Sequence, residues 1–226
     1  MTFIVAIDGP AGAGKSTVAR QVADALGFAL VDTGAIYRSV GLEALRRGLN
    51  PDDEAGLGAV AATARIEFRV ESAVRRVLLN GEDVTEAIRQ PDVSRAASVV
   101  SARPSVRDAL LELQRRLARA EPAGAVLEGR DIGTVVFPDA EVKIFLTASP
   151  ETRARRRFEE LCAKGTSTSF DAVLADQIIR DREDETRAVA PLRPAADAVH
   201  VDTTGLETNE VVTRIVRIVN SVRGSR

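Results

Sequence analysis

Gly9-Pro10-Ala11-Gly12-Ala13-Gly14-Lys15-Ser16-Thr17 (GPAGAGKST) follows an apolar run, Phe3 to Ile7, and precedes a segment whose apolar residues recur at helical spacing, Val18, Val22 and Leu26. The run has the length and β-branched content of a buried strand, so the pattern reads strand, Gly-rich loop, helix. That is the context the Walker A motif G-x-x-x-x-G-K-[ST] requires. Gly9, Gly12 and Gly14 allow the loop to turn its N–H groups around a phosphate, where a Cβ would clash or forbid the dihedrals. Lys15 can reach the β/γ-phosphates, the Ser16 hydroxyl can ligate Mg²⁺, and the helix N-terminus adds partial positive charge. The stretch predicts a user of nucleoside triphosphates.

Outward from this loop, short apolar runs end in chemically loaded loops. Phe28 to Val31 closes on Asp32-Thr33-Gly34, Ala125 to Leu127 leads into Glu128-Gly129-Arg130-Asp131, and Val142 to Leu146 precedes Ser149-Pro150, an N-cap with proline at the first helical position. Ala198 to Val201 is a fifth strand, and the apolar stripe from Val211 to Val222 marks a closing amphipathic helix. Strands alternating with helices predict an α/β fold, a P-loop NTPase-type five-stranded parallel sheet with helices on both faces. Ligands of such sheets bind beyond the carboxyl ends of the strands. Between about Gly58 and Ser101 the rhythm changes to alternating runs around Asn80-Gly81, a hairpin signal, followed by a helix from Val93 to Val100. A small antiparallel β/α insertion, 58–102, is expected there, and a basic helical segment over about 150–187.

A chain of 226 residues, 45% apolar, can bury one full core, so a single domain over 1–226, or one domain with an insertion, is expected. The single Cys162 excludes an internal disulfide and a Cys-based zinc site, which suits a reducing compartment. No run approaches a membrane span and no leader pattern opens the chain, so cytoplasmic residence is expected. Net charge −2 gives no global basic field for nucleic acid. Of 31 basic residues only Lys15, Lys143 and Lys164 are lysines, and arginine is the side chain that matches phosphate oxygens bidentately. The lone His200 lies in an apolar run and reads as a strand residue, not a general base.

A P-loop does not say where its phosphate goes. Thr33 and Arg38 sit beyond the second strand. Glu128 can hold a Mg²⁺-bound water, with Arg130 next to it. Arg180, Asp184 and Arg187, at i, i+4 and i+7, would share one helix face as cation, anion and cation, a spacing that by itself favours a solvated salt-bridge ladder over a binding site. Arg153, Arg155, Arg156 and Arg157 would repel one another unless an anion sat among them, as a basic segment closing over a polyphosphate would arrange.

GPAGAGKST, DTGAIYR, EGRDIGTVVFPDA, KIFLTAS and RAVAPL, in this order over nearly the whole chain, resemble the bacterial cytidylate kinases. The resemblance implies phosphoryl transfer from ATP to CMP or dCMP, by an enzyme similar to adenylate kinases but with an enlarged monophosphate-binding region and a short lid. It implies that Gly9 to Thr17 hold ATP, with Lys15 on the transferred phosphate and Ser16 on Mg²⁺. Arg38, Arg130 and Arg187 would grip the acceptor phosphate. Ser98, Arg107 and Asp131 would read the cytosine, Arg180 and Asp184 would reach the ribose, and Arg156 and Arg157 would belong to the lid over ATP. Where family members often carry Asp, this chain has Glu128, a longer carboxylate that can still hold a metal-bound water. The partners implied are the small molecules ATP and CMP or dCMP; a monomer is expected, and charge and hydropathy point to no nucleic-acid and no membrane partner. Other small-acceptor kinases, using UMP, AMP or shikimate, and a regulatory P-loop NTPase are the competing readings.

Overall fold

A computed structural model describes residues 2–71, 74–163 and 165–224. Along the chain run β1 (Ile4–Asp8), α1 (Lys15–Leu26), β2 (Ala29–Asp32), α2 (Thr33–Arg46), α3 (Glu54–Thr63), β3 (Ile66–Glu71), β4 (Val74–Leu79) and β5 (Glu82–Asp83). Then follow α4 (Pro91–Ser101), α5 (Pro104–Arg119), β6 (Ala125–Gly129), β7 (Val142–Thr147), α6 (Pro150–Ala163), α7 (Phe170–Thr186), β8 (Val199–Asp202) and α8 (Thr208–Gly224). The chain divides into two compact units, unit 1 comprising Met1–Val31 and Leu117–Arg226, and unit 2 comprising Asp32–Arg116.

Unit 1 is built on the five-stranded parallel sheet, in the order β2-β6-β1-β7-β8. β1 lies at its centre, with Val5 opposite Val126 of β6 and Val142 of β7, and Asp8 opposite Gly129 and Phe145. All five β1 residues are buried, which is why its sequence is a near-continuous apolar run instead of an alternation. Val5, Ile7, Val126, Ile144 and Leu146 pack with Val18 and Val22 of α1 and with Val211, Ile215 and Val219 of α8. The last three recur every fourth residue and so form one helical stripe. At roughly 1.5 to 3 kcal/mol for each such side chain buried, this cluster fixes where the strands end, and with them the loops that follow. The five strands start or stop within two residues of the sequence expectation.

Unit 2 holds the insertion. β3 and β4 pair antiparallel from Ile66↔Leu79 to Glu71↔Val74, and β4 returns to β5 through Asn80 and Gly81. Both turn residues have positive φ, 53° and 90°, the conformation a two-residue hairpin demands and that Asn-Gly supplies at low cost. α2 is capped by Asp32, whose carboxylate accepts from the Ala35 N–H at 2.7 Å. It meets α4 at Gly41, where a Cβ would lie 2.9 Å from the Ala97 nitrogen.

Candidate functional site

In unit 1 the carboxyl end of β1 opens into the predicted loop. Gly9, at φ +152°, lies so close to β7 that a Cβ would sit 2.0 Å from the Leu146 carbonyl oxygen, so only glycine can lead the chain out of the strand here. Gly14, at φ +88°, is the N-cap of α1. No side chain caps that helix and no acidic residue occupies its first turn, whereas Asp32, Asp53 and Ser169 cap α2, α3 and α7. The first amides of α1, which include Ser16 and Thr17, therefore keep their donors for an anion.

Lys15 is buried and its ammonium donates to the Pro10 carbonyl at 2.8 Å. Burial, followed by the charge of Arg130, pushes it down from 10.5 to about 7, against the attraction of Glu128, Asp184 and Asp8. Ser16 donates its hydroxyl to the Glu128 carboxylate at 2.9 Å. A hydroxyl and a carboxylate are hard oxygen donors, the set Mg²⁺ takes when phosphate and water complete its shell. Among the described residues no group of three or more His, Cys, Asp or Glu side chains could cage a metal by itself. The residues present therefore fit a Mg²⁺ that arrives with a polyphosphate.

The end of β6 and the end of α7 meet beside this loop. Arg130 donates to Asp184 at 2.8 Å, and the Arg187 guanidinium lies 3.8 Å from Asp184 and 4.0 Å from Asp131. Burial alone would raise Asp184, but Arg130, Arg187 and Lys15 hold its carboxyl below the usual range. Burial and the neighbouring Arg130 lower Arg180. Cations crowded around one carboxylate can accept further negative charge at small reorganisation. One expectation needs correction. α7 ends at Thr186 and Arg187 is its C-cap, at ψ 141°, so the trio does not share one helix face. Arg187 reaches the group from an extended residue, held by its donation to the Ala190 carbonyl at 2.6 Å.

The arginines of α6 also differ from expectation. They are not a bare cluster awaiting an anion, because a helix advances about 100° per residue and fans them apart. Arg153 is buried against the loop and paired with Asp181 at 2.7 Å, and Arg155 lies over the Phe170 ring. Arg157 binds Glu160, and Arg156 holds both the hydroxyl and the carbonyl of Thr203. Arg156 remains beside the loop, 3.8 Å from where a Gly14 Cβ would sit. His200 lies on β8, as its context implied, with its ring tilted 48° to that of Phe145.

Sequence reasoning passed over Asp8. Its two carboxylate oxygens accept from the Ile132 and Gly133 amides at 2.8 and 2.7 Å, anchoring a π-type turn, Ile132–Val136, directly after Asp131. π turns frequently mark functional sites but have no sequence period, so the available signal was only an acid at a strand end.

In unit 2, Thr33 opens α2 and is buried, and Arg38 pairs with Asp32 at 3.1 Å. Arg107 is buried at the start of α5, donating to the Ser101 carbonyl at 3.1 Å, with its guanidinium 5.6 Å from the Tyr37 ring centre. Ser98 is on α4, its hydroxyl 3.4 Å from the Ser94 carbonyl.

A parallel sheet with this loop at the end of its central strand, and guanidinium groups gathered at the neighbouring strand end, defines a P-loop phosphotransferase. The cytidylate kinase family model matches residues 5–221. The cytidylate kinase of Geobacter sulfurreducens is 54% identical over 217 residues, 96% of this chain and 92% of its own. That of Pelotomaculum thermopropionicum is 53% identical over 220 residues, 97% of this chain and 96% of its own. The crystal structure of an uncharacterized protein from Eubacterium ventriosum shares the fold at TM-score 0.54 and 10% identity, over 97% of this chain and 99% of that one. The chain belongs to the cytidylate kinase family.

Proposed function

We propose that this enzyme transfers the terminal phosphoryl group of ATP to CMP and dCMP, giving ADP and the diphosphates, as a step of pyrimidine nucleotide metabolism. Family membership over nearly the full length supports the reaction, and disfavours the readings as an AMP, UMP or shikimate kinase or a regulatory NTPase. The observation that carries it is the grouping of Arg130, Arg187 and Asp184 with Lys15 beside the Gly-rich loop.

The acceptor is already an anionic oxygen nucleophile, so no general base is needed, and catalysis is positioning plus charge neutralisation. Gly9 to Thr17 wrap the donor phosphates with backbone N–H groups. A polyanion beside Lys15 favours its charged form, placing a cation on the transferred group. Ser16, and Glu128 through water, would hold Mg²⁺, which supplies Lewis-acid neutralisation of the phosphate oxygens. Arg38, Arg130 and Arg187 bind the acceptor phosphate, and Ser98, Arg107 and Asp131 read the base. Arg180 and Asp184 bind the ribose, Thr33 contributes its hydroxyl to the acceptor, and Arg156 and Arg157 cover ATP. On this reading 1–226 acts as one kinase domain, with 58–102 as monophosphate-binding insertion and about 150–187 as lid and basic helix. It works as a cytoplasmic monomer with no nucleic-acid or membrane partner. Among the described residues no helix is long and apolar enough to cross a membrane.

The test is ADP release measured with CMP, dCMP, UMP and AMP as acceptors. Turnover confined to the cytidine nucleotides is expected, because a hydrogen-bonding pocket rejects bases that leave its polar groups unpaired. A preference for AMP would overturn the assignment.

A further inference from the structure

We infer that Arg153, with Asp181 and Gln177, is a positioning set for the ATP phosphates: it pins the Ala11 carbonyl outward and thereby turns the Gly12 N–H into the cradle. The inference rests on ATP being the donor. Arg153 is 4% exposed and every nitrogen of its fork is engaged. Nε donates to the Ala148 carbonyl at 2.9 Å, Nη1 to the Ala11 carbonyl at 3.0 Å and to Asp181 at 3.0 Å, and Nη2 pairs with Asp181 at 2.7 Å. Four of its five N–H donors are thus spent on protein groups. Its charge is matched by Asp181, and its unmatched effect on the site is geometric.

That effect falls on one peptide group. Gln177, buried on α7, donates its amide to the same Ala11 carbonyl at 3.3 Å, so α6 and α7 hold this oxygen together. The Ala11–Gly12 peptide is trans and planar, so its C=O and N–H point in opposite directions. Fixing the oxygen toward the two helices fixes the Gly12 N–H away from them. Gly12 is pressed against the same helix: a Cβ would lie 3.0 Å from Arg153 Cβ and 3.1 Å from the Arg153 carbonyl oxygen. The neighbouring carbonyls are held in like manner, Pro10 by Lys15 at 2.8 Å and Ala13 by the Thr203 hydroxyl at 3.4 Å. Arg153 is the strongest of these ties because its planar fork serves the strand-end carbonyl, the loop carbonyl and the carboxylate at once, which a lysine cannot.

The test compares binding of MgATP and of CMP, each alone, by titration calorimetry to the full chain and to the variants Arg153→Lys and Gln177→Met. Arg153→Lys keeps the charge facing Asp181 but loses the fork. With one charge-assisted hydrogen bond to the loop gone, MgATP affinity is expected to fall about tenfold while CMP affinity stays within about twofold. Gln177→Met, nearly isosteric, is expected to shift MgATP in the same direction by less. Unchanged MgATP affinity in Arg153→Lys overturns the inference, and so does an equal loss for both nucleotides, which marks a merely structural residue. If Arg153→Lys does not fold, Gln177→Met decides: selective weakening of MgATP sustains the inference and unchanged affinity overturns it. Failure of the unsubstituted chain to bind MgATP or to turn over CMP would remove the proposed function itself, a result separate from either variant outcome.

Discussion

At the scale of single residues, Asp8 shows how a buried acid can be held without a cation of its own. Burial pushes it up from 3.8 to about 6, and Asp131 adds to the rise, while the Gly133 and Ile132 amides and the charge of Lys15 oppose it. An acid whose pKa is higher in the folded chain binds more protons folded than unfolded between those two values. Its contribution to stability is therefore full below 3.8 and is lost as pH rises through about 6. A shift of roughly two units corresponds to up to about 3 kcal/mol. Asp8→Asn cannot titrate, and its one acceptor oxygen leaves one of the two amides without a partner, at a cost of about 1 to 3 kcal/mol. Urea unfolding of both proteins from pH 4 to 7 is expected to show the stability difference, native minus variant, shrinking by up to about 3 kcal/mol as pH rises. A difference constant with pH would show that Asp8 does not titrate in this window.

At the scale of elements, legibility followed from whether a feature has a local period. β1 was readable because a strand covered on both faces must be apolar throughout, and α8 because its buried residues recur at one helical phase. Asn80-Gly81 was readable because few other residues accept positive φ at both turn positions. The arginines of α6 were misjudged by counting charge along the sequence, when helical phase separates Arg153 from Arg155 by about 200° and sends one inward and one out. The π-type turn and the tie from Asp8 to it join residues more than a hundred positions apart, and no spacing announces such a pair. The α2–α4 contact is of this second kind, since a glycine inside a helix reads as a weak position until its neighbour is known. Gly41→Ala gains about 1 kcal/mol of helix propensity. It also forces a Cβ to 2.9 Å from the backbone nitrogen of Ala97, which has no rotamer to yield. Overpacking of this sort costs about 1 to 3 kcal/mol, so the clash wins and a net loss of about 1 kcal/mol in unfolding free energy is expected from urea titration. A stabilised Gly41→Ala protein would mean that α4 gives way freely.

At the scale of the whole molecule, the proposed roles divide unequally between the units. Every residue assigned to ATP lies in unit 1, whereas those assigned to CMP lie in both: Thr33, Arg38, Ser98 and Arg107 in unit 2, and Arg130, Asp131, Arg180, Asp184 and Arg187 in unit 1. A ligand that binds only the folded chain stabilises it by mass action, about 2.7 kcal/mol at a hundred times its dissociation constant. Local openings suppressed by the ligand fall where its contacts are, and amide exchange reads them segment by segment. MgATP alone is expected to slow exchange in the Gly9–Thr17 loop and α1, and to leave α2 and α4 as they are in the free protein. CMP alone is expected to slow the first turns of α2, the Ser98 region of α4 and the start of α5, together with the segment after β6 and the last turn of α7. Since Arg38 and Arg107 already have partners within unit 2, protection there would report the ligand reaching them and not a general tightening, which would slow β3 and β4 as well. CMP protection confined to residues 117–226 would remove Thr33, Arg38, Ser98 and Arg107 from the substrate and leave base recognition to Asp131 and its neighbours in unit 1.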